Sequence, residues 1–421
     1  MHRRASALAV ALVVLVGAAG CGPSDRGELE IYGPYVGVEA DIFAEVLRAF
    51  EEETGIETTY VGSSNFQSQF RDRVRAADLP DVVVLPQPAL LTELIDDRRI
   101  DPLPDPVAER MRAVVGGDFG SALGSDGKPY AIPYRFVVKS LVWYRSDIFE
   151  DRGYLVPRTL GELEELVATM VADGETPWCT GMDSGTATGW WATDWVEDLV
   201  LRQAGPEVYQ SWSERETPFT EPAITSAMDT FQQMVLRRGA FRGGSRAILN
   251  VAVEDAMGPM LESEPECLMH RQASFQSLWL PSSWKFGERG LDIFPVPPVE
   301  EGPPPLVISG EIVSATSDSP AAEELLLYLL DAEAAEPWRA QGGSLVASDL
   351  DEPQPDDPEL ERRLIDLVMS AGAVVFDASD LMPPEVGTDS FFTAMVRLVT
   401  GAPVDEVAEQ IEESAPDSTP P

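Results

Sequence analysis

The sequence predicts an α/β protein built on an open parallel sheet and divided into two domains. Strand and helix patterns alternate from Leu29 to Ile95, and a chain of 421 residues is longer than one hydrophobic core normally organises. The sheet loops that should carry a ligand are small, polar or aromatic, and none is a glycine-rich phosphate cradle.

The elements follow in order. Leu29-Glu30-Ile31-Tyr32 alternates as a strand does. Ile42, Phe43, Val46, Leu47 and Phe50 then recur with helical spacing, and Gly55 stands where a left-handed cap ends a helix. Ile56 to Tyr60 is a half-buried strand, and Phe66, Phe70 and Val74 mark a second helix. Val82-Val83-Val84-Leu85 is wholly apolar, as a central parallel strand should be. Leu90, Leu91, Leu94 and Ile95 line the next helix. Ligands of such sheets sit beyond the carboxyl ends of the strands. Three loops occupy that place, Gly33-Pro34-Tyr35, Gly62-Ser63-Ser64-Asn65 and Pro86-Gln87-Pro88. They make Tyr35, Asn65 and Gln87 candidate contacts to a neutral, hydroxyl-rich ligand.

Further along, the chain turns at Gly127 to Tyr134 and runs extended from Phe136 to Tyr144. A helix follows from Thr159, which can cap it with Glu162 as partner. The segment Gly189 to Trp195 holds three tryptophans. Leu306-Val307-Ile308 is an apolar strand leading into Ser309-Gly310-Glu311, and Ala321 to Asp331 is helical. Pro353 to Pro358 is a polar connection, and the tail from Glu412 to Pro421 reads as disordered.

The N-terminus decides the compartment. Arg3 and Arg4 precede an apolar stretch, Ala5 to Gly20, and then Cys21. A charged start, a short apolar run and a small-residue cleavage site together form a signal peptide over residues 1–20. Ala18-Ala19-Gly20-Cys21 resembles a bacterial lipoprotein signal, with Ala18 where such signals usually carry Leu. That resemblance implies lipidation of Cys21, a short anchored linker over residues 21–26, and an extracytoplasmic location at the cell membrane.

The formal charge is −42, and loss of Arg3 and Arg4 with the signal peptide makes it −44. That field repels nucleic acid and polyanionic ligands. The two remaining cysteines, Cys179 and Cys267, imply one disulfide in an exported chain. Outside the signal peptide the only histidine is His270, so neither a Ser-His-Asp triad nor a multi-histidine metal site is expected, and no cofactor.

Several segments carry a resemblance. They are Phe50-Glu51-Glu52-Glu53-Thr54-Gly55-Ile56, Leu79-Pro80-Asp81-Val82, Lys139 to Tyr144, Pro177-Trp178-Cys179 with Ala187 to Trp190, Asp194 to Asp198, and Phe376 to Pro383. Together they are similar to the extracellular solute-binding proteins of carbohydrate ABC importers, in the α-glucoside branch. The resemblance implies a two-lobed periplasmic-binding-protein-like fold, the Venus flytrap, with the ligand cleft between lobes. It implies one lobe of residues 27–136 with 312–348, and a second of 137–311 with 349–421. It also implies an oligosaccharide ligand, an ABC transporter permease as partner, no covalent chemistry and a monomer on its tether.

Sugars are held by aromatic faces and by polar groups that pair their hydroxyls. Trp190 and Trp191 are the candidate stacking platform, because adjacent residues cannot easily share one core face. Asp194 either accepts ligand hydroxyls or caps a helix. Lys139, placed by the resemblance at the lobe crossing, either touches the ligand or pairs with a buried carboxylate. Gly310 and Glu311 lie at the second crossover. Met260, Asp380 and Phe392 fall near positions where the family presents aromatic or polar groups. A secreted glycoside hydrolase, working through a carboxylate pair, and a binder of polyamines or amino acids are the alternative readings.

Overall fold

The computed structural model describes residues 28–115, 124–125, 127–346 and 358–414. The signal peptide, Cys21 with its linker, and the expected lobe junction at 348/349 lie outside the described residues.

The first half of the chain folds as its periodicity predicts. Strand β1 (Glu28–Gly33) leads into helix α1 (Val38–Thr54), whose buried face is Ile42, Phe43, Val46, Leu47 and Phe50. Gly55 ends α1 with φ 72°, the left-handed cap that lacks a Cβ penalty. Strand β2 (Glu57–Gly62), helix α2 (Phe66–Ala76), strand β3 (Val82–Leu85) and helix α3 (Pro88–Asp96) complete a β-α-β-α-β-α run. Strand β1 pairs in parallel with both β2 and β3, and β3 is buried along its whole length, as its unbroken apolar run requires.

Two later strands turn this sheet into a bridge. Strand β4 (Ile132–Val138) and the eleven-residue β8 (Pro305–Ala315) run antiparallel, with Glu311 opposite Arg135 and Gly310 opposite Phe136. Strand β8 changes neighbours along its length. Its start lies parallel to β10 (Ala373–Phe376), and its end antiparallel to β3. With β9 (Leu345–Val346) beside β4, the sheet has the order β9-β4-β8-β3-β1-β2, and β10 joins at β8. A register irregularity between Glu311 and Ile312 marks the passage. Between these, β5 (Leu141–Arg145), β6 (Met269–Arg271) and β7 (Leu291–Pro295) form a small antiparallel sheet in the order β6-β5-β7.

Three buried groups matter for the site. One packs α1 against β1, β3 and Trp338. Another surrounds helix α4 (Trp190–Ala204), with Trp191, Trp195, Trp212, Phe231 and Phe391 at its centre. The third spans the crossing strands and the Cys179–Cys267 disulfide, and it encloses Phe136, Trp143, Met260 and Leu364. The disulfide expected from the cysteine count is therefore present, closing a separation of 88 residues.

The tail departs from expectation at its start. Glu412 belongs to the helix Val404–Glu413, and its carboxylate accepts from Arg215 Nη2 at 3.0 Å and from the Phe219 N–H at 2.9 Å. Apolar spacing at Val404, Val407, Ala408 and Ile411 buries one face of that helix, which outweighs its acidic composition. Residues 415–421 lie outside the described residues.

Candidate ligand-binding site

Strands β4 and β8 cross at the floor of a cavity of about 250 Å³. Gly310 is required there, because a Cβ on it would stand 2.0 Å from the Arg135 carbonyl oxygen. The floor consists of Arg135, Lys139, Ser309, Gly310 and Glu311. One wall is aromatic: Trp190, Phe275, Trp279 and Phe392. Trp190 and Phe275 have ring centroids 6.3 Å apart, and Phe275 meets Trp279 edge-on at 4.9 Å. Gly189 sets the position of Trp190, since its φ of 130° and missing Cβ let the main chain of Phe392 approach closely. The opposite wall brings Glu39 and Gln87, and the short helix α5 (Ala378–Leu381) adds Ser379 and Asp380.

A second cavity of about 340 Å³ adjoins the first. It shares Pro86, Gln87, Ala187 and Phe392 with it, and adds Asn65, Ser63 and Gln67. The two open into one cleft between α2 with its loops and the 186–190 and 385–392 segments. Polar bonds cross this cleft. Gln67 donates from Nε2 to Thr388 Oγ1, Thr186 Oγ1 donates to Asn65 Oδ1 at 3.5 Å, and Arg71 lies 3.9 Å from Asp389. A larger groove of about 500 Å³ between α2, α3 and Leu381–Glu385 has no aromatic face, so it lacks the stacking surface a sugar needs.

The charges on the floor are paired. Arg135 makes a bidentate bond to Glu311 at 2.9 and 3.1 Å and a third contact to Glu39 at 2.8 Å. Its guanidinium also lies over the Trp338 ring, 4.4 Å from the centroid. Burial raises the Glu311 carboxyl above its ordinary value, and Arg135 opposes that shift. Lys139 Nζ lies 3.1 Å from Asp194 and 2.6 Å from Asp377, with the Trp190 ring centroid at 5.5 Å. Burial works against the lysine charge, but Asp194 and Asp377 outweigh it and hold the ammonium well above the usual lysine value.

The structure brings Gln87, Lys139, Trp190, Gly310, Glu311, Asp380 and Phe392 to one cavity, and Asn65 to its neighbour. Four sequence candidates stand elsewhere and are corrected. Tyr35 is 1% exposed, packed among Phe43, Tyr60 and Trp338 beneath Arg135. Its loop turns the ring inward because Gly62 leaves room for the Tyr35 carbonyl. Trp191 is core: its indole N–H donates to the Arg271 carbonyl and its ring meets Trp195 and Phe241. Adjacent tryptophans on a helix diverge by about 100°, so Trp190 takes the cleft and Trp191 the interior. Asp194 is fully buried behind Lys139, bonded to it and to Arg271, and neither caps a helix nor lines the cavity. Met260 is fully buried with the crossing-strand group. Sequence reasoning missed Glu39, Arg135, Phe275, Trp279 and Ser379. Arg135 had a signal, being a lone charge within the apolar run Ile132 to Val138.

Comparison with known proteins gives the same picture. Residues 37–336 match the family described as bacterial extracellular solute-binding protein. The α-glucosides-binding periplasmic protein AglE of Rhizobium meliloti is 36% identical over 92% of this chain and 86% of its own length. The osmoprotective compounds-binding protein GgtB of Synechocystis is 33% identical over 97% of this chain and 98% of its own. In fold, apo RafE from Streptococcus pneumoniae superposes with a TM-score of 0.70 at 20% identity, covering 93% of this chain and 98% of RafE. RafE in complex with raffinose gives a TM-score of 0.72 at 18% identity over 92% of this chain and 98% of that one. The two-lobed α/β architecture and the matched sequence therefore lead to one conclusion: the chain belongs to the bacterial extracellular solute-binding protein family.

Proposed function

We propose that the protein captures a neutral oligosaccharide of the α-glucoside type outside the membrane and delivers it to an ABC transporter permease, without chemical conversion. The observation that carries this reading is the cavity at the β4/β8 crossing, where Trp190, Phe275, Trp279 and Phe392 face a floor of paired charges. Aromatic faces receive the C–H surfaces of a pyranose, and Glu39, Gln87, Ser309, Glu311 and Asp380 offer partners for its hydroxyls. Pairing of Arg135 with Glu311 and Glu39 leaves no lone cation on that side to favour an anionic ligand. AglE supports the glucoside class by its name, and GgtB is named for osmoprotective compounds.

The lobes meet, in this reading, where residues 136/137 and 311/312 lie side by side on β4 and β8. Closure about those strands sequesters the sugar, and the bonds of Gln67, Asn65 and Arg71 across the cleft hold the closed form. No helix among the described residues is long and apolar enough to cross a membrane. In this reading a lipid on Cys21 supplies the tether, and the protein acts as a monomer beside its permease.

The test is thermal unfolding of residues 22–421 against maltose, trehalose, sucrose, maltotriose, glucose, spermidine and amino acids. Ligand at 100 times its dissociation constant adds about 2.7 kcal/mol, a shift of about 2–4 °C or less in a chain this long. A shift with α-glucosides is expected. Shifts confined to spermidine or an amino acid would remove the sugar reading.

A further inference from the structure

Beneath the cavity lies a closed group of charges with too few cations. Asp194, Glu197, Asp198, Asp377 and Asp380 are all buried, and the buried cations among them are Lys139, Arg202 and Arg271. Each cation is already engaged. Lys139 holds Asp194 and Asp377, Arg271 holds Asp194 and Asp198 at 2.6 and 2.7 Å, and Arg202 holds Asp198 at 2.7 Å. Three carboxylates thus share three cations. Glu197 and Asp380 have none.

Those two are bonded as neutral acids can be. Glu197 accepts from the Ala378 N–H at 2.9 Å and from the Tyr209 hydroxyl at 3.2 Å. Asp380 Oδ2 takes the Ser309 hydroxyl at 2.7 Å, while Oδ1 has no hydrogen-bond partner among the described residues. Of the two acids only Asp380 lines the cavity. The elements packed on α5 carry acids of their own: Pro88–Asp96 has Glu93 and Asp96, Pro206–Ser213 has Glu207 and Tyr209, and Glu385–Phe391 has Glu385 and Asp389, with Arg71 close to Glu93 and Asp389. None of those segments carries a Lys, Arg or His. Asp377 and Asp194 add negative charge, and Lys139, which opposes them at Asp380, is already shared by two carboxylates. A second unpaired carboxylate charge in such a place costs several kcal/mol, whereas a proton removes the cost.

We propose that Asp380 meets the ligand as a neutral carboxylic acid, donating a hydrogen bond from Oδ1 to a sugar oxygen, so that capture is governed by the protonation of this residue. The proposal rests on the sugar-binding reading of the cavity. Burial first, and the Asp377 charge next, push the Asp380 carboxyl well above the usual aspartate value. The acid complements the acceptors Glu39, Gln87 and Glu311 on the other side. It gives the cavity a donor besides its two paired cations, and so selects for a ligand oxygen that accepts.

The linkage has a definite sign. A raised folded-state value means that folding takes up a proton above about pH 3.9, the ordinary aspartate value. Stability contributed by neutral Asp380 is full below that pH and is lost as pH rises through the folded value. Ligand affinity behaves differently. It holds level until Asp380 ionises in the free protein and then falls by about tenfold for each pH unit.

The experiment compares the full chain with Asp380→Asn, which keeps the shape and cannot ionise, from pH 4 to pH 9. Two readouts are taken: unfolding midpoint without sugar, and dissociation constant for the best sugar of the thermal panel. The expected result is that, relative to their difference at pH 4, wild type loses stability against the variant as pH rises, and that only wild type loses affinity at high pH. A stability difference that does not move in the variant's favour with pH, or affinities that run parallel in pH, would overturn the proposal. The first readout needs no ligand, so a protein that binds no sugar would fail the functional reading while the state of Asp380 is still decided.

Discussion

At Trp190 and Trp191, two identical neighbours divide between cleft and core. Trp190 is half-buried with its ring on the cavity, whereas Trp191 is 1% exposed within the tryptophan-rich core. Truncating Trp190 to Ala should weaken sugar binding by about tenfold to a hundredfold, from about 1.5–3 kcal/mol of lost apolar contact, and leave the unfolding midpoint nearly unchanged. Trp191→Ala should instead cost about 3–5 kcal/mol of stability, read by urea unfolding. Equal loss of stability in both would contradict the division. Lys139 makes a sharper case. Lys139→Met leaves Asp194 and Asp377 without their shared cation, which costs about 3–5 kcal/mol. Asp377 is then stranded, Asp194 keeping Arg271, and its folded-state value rises, so the deficit should be smallest near pH 4 and grow as pH rises. A deficit that grows on acidification would refute that pairing. Which tryptophan faces the cleft was not readable from sequence, because the pair alone does not give the helix phase. Tyr35 misled for a related reason: its loop lies where ligands bind, but Gly62 admits its carbonyl and the ring turns under Arg135.

The local elements were the readable part. The α1 face, the Gly55 cap and the apolar β3 run each follow from one local rule, and each formed as expected. Strand β8 did not carry its meaning locally. Its eleven residues serve three partners in turn, and that role depends on residues 68 to 233 positions away. The polar contacts over the cleft are likewise invisible in sequence, since Gln67 and Thr388 are separated by 321 residues. Gln67→Ala should speed sugar release and weaken binding by about two- to tenfold, the worth of one neutral hydrogen bond, seen by stopped-flow displacement. Unchanged release would mean that this bond does not hold the closed form. The Cys179–Cys267 link joins the entry to the tryptophan segment with the strand β6 region. Reduction should lower stability by about 2–5 kcal/mol, and thermal unfolding with and without reductant measures it.

Across the whole molecule, composition fixes what the protein avoids, and topology fixes where it binds. A net charge of −42 disfavours anionic ligands and surfaces, and on the cavity floor Arg135 and Lys139 are each already held by two carboxylates. A neutral, hydroxyl-bearing solute suits that arrangement better than a phosphate compound. Family membership could be anticipated from scattered segments, as could Trp190 and Phe392 of the aromatic wall, whereas its other two rings could not. Phe275 and Trp279 come from a short turn, Ser274–Trp279, that no periodic pattern announces. The central claim is that this cleft binds an α-glucoside and returns it unchanged. Isothermal titration of residues 22–421 with trehalose, sucrose and maltose, followed by chromatography of the recovered sugar, tests it most directly. One saturable site per chain with intact sugar is the predicted result. Heat from none of the three, or recovery of free monosaccharides, would contradict the account.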